Sequence, residues 1–153
     1  MKIIMNQKNT QIGIQSNITN KLVNLLMKNG KKSKAQKIIV QLAHLFAEQN
    51  KTIDIVHILE KNIEDIKPIF EIRNKKLGGN MFKIPVVLTP ERQNTLAIKW
   101  LLDTAKLRSE KTLALKIYNE LLNIQKKQSS LLKKKEELHK LANNNRAFMH
   151  YAW

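Results

Sequence analysis

The spacing of apolar residues divides the chain into helical stretches and one extended stretch. Ile18, Leu22, Leu25 and Leu26 recur at three- and four-residue intervals, the mark of one apolar helix face, and the pattern stops at Gly30, a residue suited to C-capping. Ser33 offers an N-cap for a second helix, in which Ala35, Ile38, Ile39, Leu42, Leu45 and Phe46 form a stripe up to about Asn50. Thr52 opens a third helix with Ile55, Leu59, Ile63 and Ile66 inward, and Pro68 ends it.

The period then changes. The segments 69–77 and 81–87 carry β-branched and aromatic residues on both sides of Gly78-Gly79-Asn80, which predicts a β-hairpin. A lone two-stranded hairpin is marginal in water, so it should lean on helices or on a partner. Pro85 cannot donate a ladder hydrogen bond and is expected at an outward edge position or a bulge. Thr89-Pro90-Glu91 reads as a helix start with a capping hydroxyl, followed by Leu96, Ala97, Trp100, Leu101 and Thr104 on one face. Ser109 or Thr112 starts a fifth helix bearing Leu113, Ile117, Leu121 and Ile124. Ser129-Ser130 separates it from a last helix over roughly 131–143, and the tail Asn143–Trp153 reads as irregular or loosely helical. The expectation is a mainly α, six-helix single domain over residues 18–153. A β-hairpin arm at about 69–87 protrudes between helices three and four, and residues 1–17 form an N-terminal extension.

Charge changes the picture. The 153 residues carry a formal net charge of +16, from 28 Lys and Arg against 12 Asp and Glu. Hydrophobic residues make up 42% of the chain, enough for a core, so this is no disordered basic tail. Self-repulsion at this charge calls for a polyanionic partner: RNA, DNA or an anionic membrane surface. The excess is local: residues 21–37 hold +6 with no acid, 69–92 hold +3 and 126–153 hold +5, whereas 38–68 hold −2. No apolar run is long enough to span a membrane. The N-terminus has neither a signal-peptide apolar region nor the Arg of an import sequence, so the protein is expected to work where it is made.

Catalytic and metal-binding patterns do not emerge. There is no cysteine. Gly30-Lys31-Lys32-Ser33 lacks the upstream glycine of a phosphate-binding loop, since Leu25 stands there in a helical segment. His44, His57, His139 and His150 include no pair at helical ligand spacing, and His44 reads as a packing residue beside the second stripe. Glu60 and Glu64 share a helix face and read as surface carboxylates. The chain is therefore expected to be non-enzymatic, without cofactor or metal.

Three basic clusters remain. Lys21, Lys28, Lys31, Lys32, Lys34 and Lys37 cluster around the first helix–turn–helix; Arg73, Lys75, Lys76 and Lys83 lie on the hairpin; Lys126, Lys127, Lys133, Lys134, Lys135, Lys140 and Arg146 lie near the C-terminus. Only four of the 28 cations are Arg, and lysine ammonium groups suit phosphate neutralisation better than bidentate base reading. Phe148, His150, Tyr151 and Trp153 beside Arg146 could stack on unpaired bases, and equally could dock the tail on the core.

Several segments resemble one known family in its order and spacing. They are Lys28-Asn-Gly-Lys-Lys32, Asn62 to Arg73 (with Lys-Pro-Ile-Phe-Glu-Ile-Arg at its end), Leu77-Gly-Gly79, Ile84-Pro-Val86, Pro90-Glu-Arg92 and Leu96-Ala-Ile-Lys-Trp-Leu101. Lys133-Lys-Lys-Glu136, His139-Lys-Leu-Ala142 and Asn145-Arg-Ala-Phe-Met-His-Tyr-Ala-Trp153 complete the set. From about Lys21 onward the chain resembles the bacterial-type small-subunit ribosomal protein S-seven family. The resemblance implies six helices, a hairpin arm, and binding to the 3′ major domain of small-subunit rRNA during head assembly. It implies neighbouring head and platform proteins as partners, with mRNA and exit-site tRNA near the hairpin and no membrane.

The implied rRNA-facing residues are Lys21, Lys28, Lys31, Lys32, Lys34, Lys37, Arg92, Lys106, Arg108, Lys133, Lys134, Lys135, His139, Lys140 and Arg146. The implied tRNA and mRNA side is Arg73, Lys75, Lys76, Lys83 and the tip Gly78-Gly79. The chain departs from the family at residues 1–17, which hold only Lys2 and Lys8 where an Arg-rich extension is usual. Gln93, Leu107 and Ala152 also replace basic residues. These departures, together with the abundance of Lys, Ile and Asn from A/T-rich codons, point to a mitochondrially encoded member. A plastid or an A/T-rich bacterium is the alternative origin. The competing class is a helical architectural DNA-binding protein, but the third helix and the hairpin lack an Arg-rich groove-reading set.

Overall fold

The computed structural model describes residues 16–49 and 55–151. Among these lie six α-helices, a two-stranded hairpin between the third and fourth, and a C-terminal 3-10 helix. The helices are α1 (Asn17–Leu26), α2 (Lys32–Gln49), α3 (Ile55–Ile66), α4 (Pro90–Leu107), α5 (Leu113–Gln125) and α6 (Ser130–Asn144). The strands are β1 (Phe70–Leu77) and β2 (Asn80–Val87), and the 3-10 helix is Arg146–Tyr151. The expected Thr52 cap and the extension before Ser16 lie outside the described residues.

Three of the helices begin where side chains satisfy free amides. Ser16 and Thr19 close a reciprocal capping box on α1, Thr112 accepts from the Leu115 amide, and Ser129 accepts from the Leu131 amide. Three expected details differ. α1 ends at Leu26, and Gly30 instead sits in the following turn, where it (φ 72°) and Asn29 (φ 53°) both adopt left-handed backbone. Ser33 lies inside the first turn of α2, because the Lys31 carbonyl already accepts from the Lys34 and Ala35 amides. Thr89 flanks α4 without a side-chain cap bond; Pro90 and Glu91 carry that start.

One apolar cluster joins all six helices. Leu22, Ile39, Leu42, Leu59, Ile63, Ile66, Ile98, Leu101, Ile117, Leu121 and Ile124 are essentially inaccessible to solvent. α4 packs on α1, α3, α5 and α6, and α5 packs on α2, α3 and α4. The buried face of α4 is Ala97, Ile98, Leu101, Leu102 and Ala105. That face is rotated from the expected one, so Leu96, Trp100 and Thr104 are only half-buried at its margin. His44 is exposed and not a packing residue, since the stripe of α2 turns Ile39, Leu42 and Phe46 inward instead.

The hairpin stands outside that cluster. Its register pairs Phe70 with Val87 and Leu77 with Asn80, which leaves Gly78-Gly79 as a two-residue turn. Both glycines have positive φ (56° and 91°), as a type I′ turn requires. The ladder runs through Pro85 opposite Ile72 without a bulge. Counted from Leu77–Asn80, Ile72–Pro85 is a non-hydrogen-bonded pair, so the proline nitrogen faces the open edge as expected, while its ring is buried. The hairpin leans on α6 and the 3-10 helix. The Ile69 amide donates to His139 Nε2 at 3.3 Å, Phe82 lies 5.2 Å from Phe148, and Lys75 Nζ donates to the Tyr151 carbonyl at 3.3 Å.

Candidate nucleic-acid interface

The first cluster is presented by the α1–α2 turn. Lys28, Lys31, Lys32, Lys34 and Lys37 are all exposed. Lys31, Lys32 and Lys34 fall at the start of α2, the positive end of its dipole, where the first turn contains no acid to offset them. That placement is unfavourable in isolation and is relieved by a bound anion. Lys21 differs: it is half-buried and donates to the Glu91 carbonyl at 3.4 Å, tying α1 to the start of α4.

On the hairpin, alternation distributes cations to both faces of the arm. Arg73 and Lys75 fall on one face, Lys76 and Lys83 on the other. Arg73, Lys76 and Lys83 are exposed, as are Gly78 and Gly79 at the tip, whereas Lys75 is half-buried by its link to Tyr151. An arm that is basic on two faces can lie between two strands of phosphates. A helix face offers its charge on one side only.

In the third cluster Lys126, Lys127, Lys133, Lys134, Lys140 and Arg146 are exposed. Lys134 Nζ stands 4.9 Å from the centre of the Trp100 ring, a cation–π contact. Lys135 is half-buried and donates to the Asp65 carbonyl at 2.7 Å. His139 accepts from Ile69 and meets the edge of Phe70 at 6.1 Å, so it fixes the hairpin base. Burial first, and then Lys135, hold its pKa below the ordinary value, which keeps it neutral and able to accept.

Three expected rRNA-facing residues have acidic partners within the chain. Arg92 makes two hydrogen bonds to Glu71, both 3.2 Å, across the foot of the hairpin. Lys106 pairs with Asp103 at 3.0 Å on an exposed helix face, a contact of small worth that phosphate can replace. Arg108 lies 2.8 Å from Glu110 and 3.0 Å from buried Glu120, which also accepts from Ser129 Oγ at 2.6 Å. Arg108 therefore fastens the α4–α5 corner.

The sequence reading missed a cleft between the hairpin base, α6 and the 3-10 helix, with Phe70, Pro85, Asn143, Arg146 and Met149 on its walls. Its only local sign is a polar run, Asn143 to Arg146, abutting Phe148 and Met149. Among the described residues no helix is long and apolar enough to cross a membrane.

Comparison with known proteins identifies the family. Residues 2–146 match the family model described as ribosomal protein S7p/S5e. The small ribosomal subunit protein uS7 of a Nitratiruptor species is 41% identical over 138 residues, covering 90% of this chain and 88% of that protein. The uS7 of Aliivibrio salmonicida is 37% identical over 139 residues, with 91% and 88% covered, and that of Blochmanniella floridana is 32% identical with the same coverage. With nearly its whole length matched, and with the hairpin and six helices in place, this chain belongs to the ribosomal protein S7p/S5e family.

Proposed function

We propose that the chain is a structural, non-enzymatic constituent of the small ribosomal subunit that binds the 3′ major domain of its rRNA. The observation that carries this reading is the set of exposed lysines on the α1–α2 turn, the hairpin and α6, borne on one helical frame of a family member. Multi-point phosphate neutralisation on a rigid frame selects a folded RNA by shape. Residues 18–153 act as one rRNA-binding domain, with residues 1–17 as an extension of low charge. Lys28, Lys31, Lys32, Lys34, Lys37, Lys133, Lys134, Lys140 and Arg146 make the phosphate contacts. Arg73, Lys76, Lys83 and the Gly78-Gly79 tip face the mRNA and exit-site tRNA. Lys21, Arg92, Arg108, Lys135 and His139 chiefly hold these surfaces in place.

The relatives named above are bacterial, so the assembly is of bacterial type. We place it in a mitochondrion, on the Lys, Ile and Asn bias and on the loss of family cations at Gln93 and Leu107. Leu107 is 88% exposed, an apolar side chain suited to a neighbouring protein rather than to rRNA. Sucrose-gradient sedimentation of a lysate from the source cell tests the first claim: the chain should travel with small subunits and be released at high salt. Sedimentation only as free protein contradicts it. Fractionation of the same cell tests the second, with enrichment outside mitochondria as the contrary result.

A further inference from the structure

The cleft beside the hairpin has a different chemistry from the lysine surfaces. It encloses ~280 Å³, with apolar walls from Phe70, Pro85 and Met149 and polar groups from His139, Asn143 and Arg146. Pro85 is buried, Phe70, His139 and Met149 are half-buried, and Asn143 and Arg146 are exposed. Because His139 Nε2 accepts the Ile69 amide, the neutral ring carries its proton on Nδ1. A bare phosphate would call for several convergent cations. Apolar and aromatic walls, an amide that both donates and accepts, and a single guanidinium at the rim instead match an unstacked nucleobase and its adjoining phosphate. The hairpin and α6, which help form the cleft, also carry cations of the second and third basic clusters, and Arg146 of the third cluster stands on its wall.

We propose that this cleft takes one unpaired nucleobase of the bound RNA, with Phe70 and Met149 against the base, Asn143 on its hydrogen-bonding edge and Arg146 on the phosphate. The proposal deepens the rRNA-binding reading and rests on it. The test is ultraviolet zero-length crosslinking of the full chain to a transcript of the 3′ major domain of a bacterial small-subunit rRNA, with crosslinked peptides mapped by mass spectrometry. A nucleotide attached to Phe70 or Met149 is expected. Crosslinks confined to the lysines, with none at Phe70, Asn143, Arg146 or Met149, overturn the cleft while preserving rRNA binding; failure to bind the transcript removes both. As a second measurement, Asn143→Ala, at an exposed helical position, should weaken binding about threefold to tenfold with the salt slope unchanged. Filling the cleft with Ala142→Trp should weaken it by at least about tenfold. Asn143→Ala binding as tightly as the parent contradicts the proposal, whether or not the Trp variant folds.

Discussion

Arg108 stands between two carboxylates, and one of them, Glu120, is buried. Arg108→Ala would leave that charge facing only Ser129, so it should destabilise the fold by about 2–3 kcal/mol, less than for a fully buried pair because the guanidinium is partly exposed. Denaturant titration checks this. The same residue governs acid sensitivity. The hydrogen bond from Arg108, and then that from Asn119, hold the Glu110 carboxyl at about 2, against an ordinary 4.5. A depressed carboxylate stabilises the fold above its unfolded value, and that contribution is lost as pH falls from about 4.5 toward 2. Thermal scans over that range should show a shallower acid decline in Arg108→Gln than in the parent. Trp100 makes a second contrast. Half-buried under Lys134, it should cost about 1–2 kcal/mol when changed to Ala, whereas fully buried Leu101→Ala should cost about 3–5. Equal losses at the two positions would contradict the burial pattern of α4.

At the scale of elements, the hairpin shows what local pattern can and cannot reveal. Its turn was legible because Gly78-Gly79 between β-branched runs is a short-range signal; its register was not, because Asn80, read as part of the turn, opens β2 opposite Leu77. The stripes of α2, α3 and α5 were legible for the same reason, since side chains three and four apart share a face. What supports the hairpin was not. Ile69 meets His139 across 70 residues and Lys75 meets Tyr151 across 76, distances at which no local spacing carries information. For this reason Lys75 and His139 read as RNA-facing cations in the sequence, yet each holds the arm in place. Nor could the sequence show the partners of Arg92 and Arg108, because Glu71 and Glu120 reach them only through tertiary packing. Hydrogen exchange distinguishes the roles. Lys75→Ala and Phe148→Ala should each speed exchange of hairpin amides, whereas Lys76→Ala should leave exchange unchanged. Faster exchange in Lys76→Ala would mean that the two faces of the arm are misassigned.

Across the whole molecule, +16 is carried by a frame whose core helices pack tightly and whose cations project from three places. Self-repulsion disfavours this arrangement in the free protein, so binding should stabilise it by neutralising charge as well as by contact. The few Arg residues sharpen the point: two of the four, Arg92 and Arg108, are committed to carboxylates within the chain. On the proposed reading most phosphate contacts then fall to lysines, which fix position and shape and do little to discriminate bases. The central claim is therefore quantitative. Binding of the full chain to the 3′ major domain of small-subunit rRNA should be measured across a series of salt concentrations. With about six to eight phosphates neutralised, log affinity should fall against log salt with a slope of about −6. A slope near −1 would contradict multi-point phosphate recognition.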